Sequence, residues 1–385
     1  MVTLKSFLGM IAAVPFIMAC NQTGQVNATL FPASGSENVN PDTHLVLTFS
    51  ETPVLGDSGM IRVYDAVTDQ VVDSLDLSIP SGPTESRTYG PECDYTKVPY
   101  DYTRTVVPTN KDTRPGTPSG TAEPTPPVYQ LTIIGGFTDA FHFYPVIVRD
   151  SIATIYLHNN MLEYGHTYYV TIDNGVLNLA DGSFQGVTKE DEWTFTTKSD
   201  MPELSDTLIV DATGKGDFNT VQGALDFIPD FNEQQTVILV NPGDYEELVY
   251  TRNKWNVKIK GAGMADTKVH YANNEVFNPH PLTVKTNEWP GTFPSRRAAF
   301  MLDNCKDIVI EDMTIATDLK GQAEGLLING ERIALYRVHI IGSGDALQAN
   351  GTIYMESCEL DGGGDTILGR GSLFAYKSNF RNGGG

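Results

Sequence analysis

One pattern recurs four times in the C-terminal part of the chain. Positions 0, 2, 5 and 7 are inward-type residues in Ile308/Ile310/Met313/Ile315, Ile333/Leu335/Val338/Ile340, Ile353/Met355/Cys358/Leu360 and Leu373/Ala375/Ser378/Phe380, with Ser378 the polar exception. The four segments start 25, 20 and 20 residues apart. A period near twenty with short strands in each period is the signature of a right-handed parallel β-helix. Positions 0 and 2 point inward on one strand, and a bend brings positions 5 and 7 inward on the next. Asn329-Gly330 and Asn350-Gly351 precede two of the repeats and supply turns. Successive coils of such a solenoid lie about 4.8 Å apart, the ordinary inter-strand spacing.

The repeat also carries two acids in phase. Asp345 falls five residues after Ile340, and Asp365 falls five residues after Leu360. On adjacent coils they would share one face. Aspartate is common in turns, where it bonds backbone amides, so either residue alone reads more simply as structural. Two carboxylates one coil apart cannot both ionise cheaply, so one tends to hold a proton. The protonated one can act as an acid while the ionised one attacks.

The chain has 385 residues, enough for two or three domains, and a formal net charge of −22. That charge argues against nucleic acid, which demands clustered Lys and Arg. At the N-terminus Lys5 precedes an apolar run from Phe7 to Ala19, too short to span a bilayer. Ile17-Met18-Ala19-Cys20 resembles a bacterial lipobox, which implies a signal peptide over 1–19, lipidation at Cys20 and a tether over 20–29. The implied address is the outer membrane of a Gram-negative envelope, on either face, with the membrane reached through the lipid. The remaining cysteines, Cys93, Cys305 and Cys358, are too few and too scattered for a disulfide framework, and Cys358 sits at a core phase of the repeat. The histidines are scattered, with no CxxC, so no zinc site is expected.

Residues 30–198 read as a β-sandwich. Alternating runs occur at 44–49, 60–64, 152–157, 168–172 and 193–197, separated by turn residues such as Asn40-Pro41-Asp42 and Asp181-Gly182. Phe31-Pro32-Ala33-Ser34-Gly35 with Leu47-Thr48-Phe49-Ser50, and the closing Glu192-Trp193-Thr194-Phe195-Thr196-Thr197, resemble bacterial Ig-like domains of the S-layer type. A Pro/Thr-rich insertion is expected near 80–127. The sandwich carries no catalytic constellation and is expected to act as a spacer. Residues 199–206 form a linker. The next domain, 207–385, opens on a strand and the glycine-rich 214–216. Its GxG spacing lacks a following GK[ST] and reads as a turn before a short capping helix ended by Pro229.

Several words of this domain resemble the pectin methylesterases, carbohydrate esterase family 8. Gly216-Asp217-Phe218-Asn219-Thr220-Val221-Gln222-Gly223-Ala224 is similar to the family's opening motif, Pro242-Gly243-Asp244-Tyr245-Glu246-Glu247 to the next, and Gly261-Ala262-Gly263 to a third. Gln322-Ala323 resembles its glutamine segment. Gly344-Asp345-Ala346-Leu347 is similar to Gln-Asp-Thr-Leu, and Gly364-Asp365-Thr366-Ile367-Leu368-Gly369 to Val-Asp-Phe-Ile-Phe-Gly. The match runs from about 208 to 380 in order. The resemblance implies hydrolysis of galacturonate methyl esters in pectin by a monomer. Asp365 would be the nucleophile, Asp345 the general acid and then base, and Gln322 an oxyanion donor. No cofactor or metal enters these steps.

The chain departs from the family pattern in two places. Gly344 stands where the family has a glutamine, so one oxyanion donor is missing. The family's catalytic arginine, in a Leu-Gly-Arg-Pro-Trp motif, is not found by residue 385. Leu368-Gly369-Arg370 lies in the Asp365 motif and does not inherit that role, although Arg370 could pair locally with a carboxylate. The arginine is therefore expected beyond residue 385, in a longer protein, and the polypeptide 1–385 alone is expected to be inactive or aggregation-prone. Competing readings are a pectate lyase or polygalacturonase on the same solenoid, or an inactive carbohydrate-binding β-helix. The fold alone does not choose among them.

Overall fold

The computed structural model describes residues 26–82, 129–137, 140–278 and 295–383. The signal, lipobox and Cys20 assignments, Cys93 and most of the Pro/Thr-rich insertion lie outside the described residues. Among these residues there is no helix long and apolar enough to cross a membrane.

Strands before residue 200 form two main sheets. One orders Thr29–Phe31, Leu45–Thr48, Ile152–Ile155 and Val146–Arg149, all antiparallel. The other orders Ser36–Val39, Thr194–Thr197, Thr167–Ile172, Met60–Asp65 and Val71–Asp76. Alternation puts Leu45, Leu47, Ala153 and Ile155 of the first sheet into one core with Ile61, Val63, Val170, Ile172 and Phe195 of the second. Trp193 is fully buried and donates its indole N–H to the carbonyl of Pro32 at 2.8 Å. The expected tether is shorter than drawn, because Val26 and Ala28 already pack against this core and Thr29 begins a strand.

From Thr207 onward the strands stack in parallel. A sheet of eleven strands and a second of five run along the solenoid, which makes this half a parallel β-helix. The repeat aligns coil on coil as the sequence pattern demands. Ile310 pairs with Leu335, Met313 with Val338 and Ile315 with Ile340. Ile333 and Leu335 pair with Ile353 and Met355, which pair in turn with Leu373 and Ala375. Ile340 pairs with Leu360, and Leu360 with Phe380. Cys305 and Cys358 are buried in this core as free thiols, and burial pushes the Cys305 thiol up to about 12.

The expected bend has one recurrent device. Asp312, Arg337, Ser357 and Lys377 all occupy position 4 of their repeat, counted from 0, and all have φ between 49° and 58°. A left-handed residue at the same phase of each coil turns the chain so that both halves of the repeat face inward. The helix Val221–Phe227 closes the first coil, with Thr220 as N-cap accepting from the Gly223 amide at 2.9 Å. Its Val221, Ala224 and Leu225 pack on Leu208, Val210 and Ile238.

The sandwich is not held away from the β-helix as a spacer would be. Ile134, Phe137 and Phe141 form one buried cluster with Tyr250, Met301 and Leu327 on the outer face of the five-stranded sheet. Two buried arginines flank the Phe137 ring, Arg252 at 4.8 Å and Arg296 at 4.7 Å from its centroid. Polar contacts cross the same seam. Asp42 accepts from the Asn219 and Thr220 amides at 2.9 and 2.8 Å, and the Tyr271 hydroxyl accepts from the Tyr144 amide at 2.9 Å. This segment is apolar and long-range, so no local periodicity announced it.

Candidate active site

The five-stranded sheet sets the geometry of the site. Its register aligns Phe300, Leu326, Leu347 and Ile367 on successive coils. Counting back two residues from the last three gives Glu324, Asp345 and Asp365. Three carboxylates therefore stand at the mouth of three consecutive coils. The backbone amide of Asp365 donates to Asp345 Oδ1 at 3.1 Å, which ties the two sequence-predicted aspartates together. Asp365 is exposed, whereas Asp345 is buried.

Glu324 escaped the sequence reading, as did the residue that links it to Asp345. Arg297 reaches across the coil mouths and makes a paired contact with Glu324, from Nε at 2.8 Å and from Nη2 at 2.6 Å to Oε1. The same Nη2 lies 3.2 Å from Asp345 Oδ2. Nη1 donates to Gln322 Oε1 and lies 3.9 Å from Glu275 Oε2. The Gln322 backbone is held too, its carbonyl accepting from the Glu275 amide at 2.9 Å. Thus Gln322, Glu324 and Asp345 gather around one guanidinium, with Asp365 on the next coil. A signal for Glu324 existed in its distance from the following strand. Arg297 had none, because a long side chain crossing coils leaves no trace in spacing.

Electrostatics separates the carboxylates. Burial pushes Asp345 above the usual carboxylate range; Arg297 pulls it down, and the neighbouring Asp365 pushes it up again. Burial also raises Glu324, whose side chain is 0% exposed, against the pull of Arg297. Burial works against the Arg297 charge, but Glu324, Asp345 and Glu275 more than offset it and its pKa rises. The site thus holds a buried acid with a raised proton affinity beside an accessible carboxylate, the division that acid and nucleophile require.

Gly344, where the resemblance implies a glutamine, has a steric explanation. A Cβ built there would lie 2.8 Å from the Gly321 carbonyl oxygen and 3.0 Å from Gln322 Cα. The preceding coil approaches too closely for any side chain without a backbone shift. Arg370 is exposed, and its backbone amide donates to Asn350 Oδ1 at 3.2 Å; its side chain has no carboxylate partner among the described residues. Asp361, close to Asp365 in sequence, instead pairs with His339 at 2.7 Å and Arg381 at 3.2 Å.

One cluster of ligand-type groups forms around a single histidine. Glu246, His270 and Asp318 bring ligand-type atoms within 4.8 Å of one another. They meet because Glu246 pairs with His270 in the stacked register, a relation that sequence distance hides. Arg149 of the sandwich lies there, 2.5 Å from Glu246 and 3.5 Å from Asp318, so the chain supplies its own cation.

The second half of the chain is similar to known proteins. Residues 207–381 match the family model Pectinesterase. Pectinesterase QRT1 of Arabidopsis thaliana is 31% identical over 170 residues, covering 42% of this chain and 43% of that protein. Pectinesterase 31 of the same plant is 29% identical over 165 residues, covering 42% and 51%. Among solved structures, the pectin methylesterase from carrot aligns with a TM-score of 0.39 at 20% identity, over 47% of this chain and 54% of that one. PemA, the pectin methylesterase from Erwinia chrysanthemi, aligns with a TM-score of 0.36 at 19% identity, over 46% and 55%. The chain spans about half the length of the curated relatives it matches. The pectinesterase match begins at the first strand of the β-helix, and the sandwich lies outside it.

Proposed function

We propose that this chain is a carboxylic ester hydrolase that removes methyl esters from galacturonate in pectin. The observation that carries this reading is the pairing of exposed Asp365 with buried Asp345 on adjacent coils, joined by the 3.1 Å amide contact. The pectinesterase match over 207–381 supports the choice of substrate. Ionised Asp365 attacks the ester carbonyl carbon, and the carbonyl electrons move onto oxygen. The Gln322 amide N–H donates to that oxyanion. Collapse expels the methoxy group, which takes a proton from Asp345 and leaves as methanol. The product is an anhydride between Asp365 and the galacturonate. Asp345, now a carboxylate, takes a proton from water as the water oxygen attacks that carbonyl. Asp365 leaves as a carboxylate, and Asp345 is again protonated.

The test measures methanol, unsaturated uronide and new reducing ends from methyl-esterified oligogalacturonate with the full-length protein, as wild type and as Asp365→Asn. Methanol alone is expected, with a loss of at least about 10³-fold in the variant. An unsaturated product or new reducing ends would instead indicate a lyase or a glycoside hydrolase. Binding without any turnover would leave a carbohydrate-binding β-helix. We further propose that the chain acts as a monomer anchored through lipid on Cys20 in the bacterial outer membrane. Cys20→Ser should then release it from the detergent phase, and retention there would reject the anchor.

A further inference from the structure

We infer that Arg297 is a positioning residue of this site, fixing the amide of Gln322 and the carboxylate of Asp345 on two successive coils at once. The inference rests on the esterase reading but concerns a residue outside the motifs that suggested it. Three observations carry it. Arg297 Nη1 donates to Gln322 Oε1, so the carbonyl end of that amide is already engaged. Its Nε2 hydrogens are left to point elsewhere, which is the orientation an oxyanion donor requires. Arg297 Nη2 also lies 3.2 Å from Asp345 Oδ2, while the Asp365 amide holds Asp345 Oδ1 at 3.1 Å. Both oxygens of the acid are thereby fixed, one by the coil that follows it and the other by an arginine reaching from two coils before it. Finally, Glu324 anchors the guanidinium through Nε and Nη2, and Glu324 is fully buried. A planar guanidinium spreads five N–H donors over three nitrogens and so reaches partners on separate coils, a span that the single nitrogen of an ammonium lacks.

The groups facing Asp345 are Arg297 and Glu324 from the preceding coils and Asp365 from the following one, with Glu275 beyond Arg297. Removing the guanidinium therefore takes away the one cation that the described residues place among these four carboxylates. Two consequences separate positioning from plain structure. The Asp345 titration should move upward when Arg297 is neutralised, since Arg297 favours the charged form. Turnover should fall while KM holds, because the arginine contacts catalytic groups and not substrate.

The experiment uses the full-length protein with Arg297→Lys, with Arg297→Gln and with the double variant Arg297→Gln/Glu324→Gln. The double variant removes the buried Glu324 charge together with its half-buried partner, so a folded protein can be compared. Asp345 is followed by carboxyl ¹³C titration, assigned with Asp345→Asn, and methanol release is measured on methyl-esterified oligogalacturonate. The expected result is an upward shift of Asp345 in Arg297→Gln, a fall in kcat of about 10²-fold in Arg297→Gln and in the double variant with KM little changed, and an intermediate kcat for Arg297→Lys. An Asp345 titration unmoved in Arg297→Gln overturns the proposal whatever the activity. So does a shifted titration with wild-type kcat, which would make the pair purely structural. Wild type that releases no methanol rejects the esterase reading and the kinetic half with it. The titration then still decides whether Arg297 sets the charge of Asp345.

Discussion

The two long sheets of the β-helix bury the same apolar stripe inward but differ on their outer faces. The eleven-stranded sheet faces solvent with ion pairs, such as Lys258 to Glu311 at 2.7 Å and Arg337 to Asp312 at 2.5 Å. The five-stranded sheet has its outer face covered. Tyr250, Met301 and Leu327 lie under Phe137 and Phe141, which stand at a small two-stranded pair, Leu131–Thr132 with Phe141–His142, between strands of the sandwich. Beside them Asn329 donates to Asp303 Oδ1 at 3.1 Å and Asn350 to Asn329 Oδ1 at 2.9 Å, a ladder of side-chain amides that runs with the coils. The candidate site opens at the mouth of this second sheet. Charges on the open face are hydrated and contribute little, whereas those under the sandwich are fixed and felt. The difference teaches that the sandwich belongs to the working unit, because it makes one face of the solenoid dry.

The largest effect should come from breaking that cover. Phe141 is 0% exposed, with its ring 4.6 Å from that of Tyr250 and 5.5 Å from Phe137. Phe141→Ala should destabilise the protein by about 3–5 kcal/mol, the usual cost of emptying an aromatic core site. Urea unfolding followed in both halves should show the midpoints moving together. A loss under about 1 kcal/mol, or a shift confined to the sandwich, would return the domain to a spacer.

Protonation sharpens the same comparison. Glu247 lies in the seam and accepts from the Val221 and Gln222 amides at 2.8 and 2.9 Å, at the start of the capping helix. Burial nonetheless pushes it from 4.5 up to about 7, with Asp42 and Asp226 adding to the rise. A carboxyl raised on folding takes up a proton as the chain folds. Its favourable contribution is complete below the unfolded value and is lost as pH climbs to about 7. A shift of this size corresponds to a change on the order of 3 kcal/mol between the two ends of that window. Subtracting the urea stability of Glu247→Gln from wild type at pH 4.5 and 7.5 should reveal this slope. Parallel curves would show that Glu247 keeps an ordinary proton affinity.

The sequence made the solenoid legible because periodicity is local and redundant. Each inward residue is repeated on the next coil, so Ile310, Leu335, Met355 and Ala375 declare one column. The in-phase placement of Asp345 and Asp365 was read by the same arithmetic. Glu324 was missed because the first interval is 25 residues, five longer than the next two, and counting forward from Ile315 lands on Lys320. Counting back from the following strand recovers it. Arg297 and the Phe137–Phe141 cover were out of reach for another reason. Their contacts join distant segments through side-chain length and shape, and neither leaves a period.

The smallest effect belongs to the open face, and it isolates backbone from charge. Arg337 sits at the left-handed bend with φ 51°, half-exposed, with Nε 2.5 Å and Nη2 3.0 Å from the Asp312 carboxylate. Arg337→Ala removes the ion pair but keeps a Cβ in the strained conformation, so the loss should stay within about 1 kcal/mol. Arg337→Gly removes the same charge and relieves the left-handed backbone, worth about 1 kcal/mol or more in the opposite direction. Glycine should therefore be the more stable of the two, by urea midpoint at low and at high salt. Salt should narrow the gap between wild type and alanine but leave the gap between alanine and glycine unchanged. If alanine instead matched glycine and both fell by several kcal/mol, the exposed pair would be holding the coil. The contrast between a hydrated face and a covered one would then fail at its weakest point.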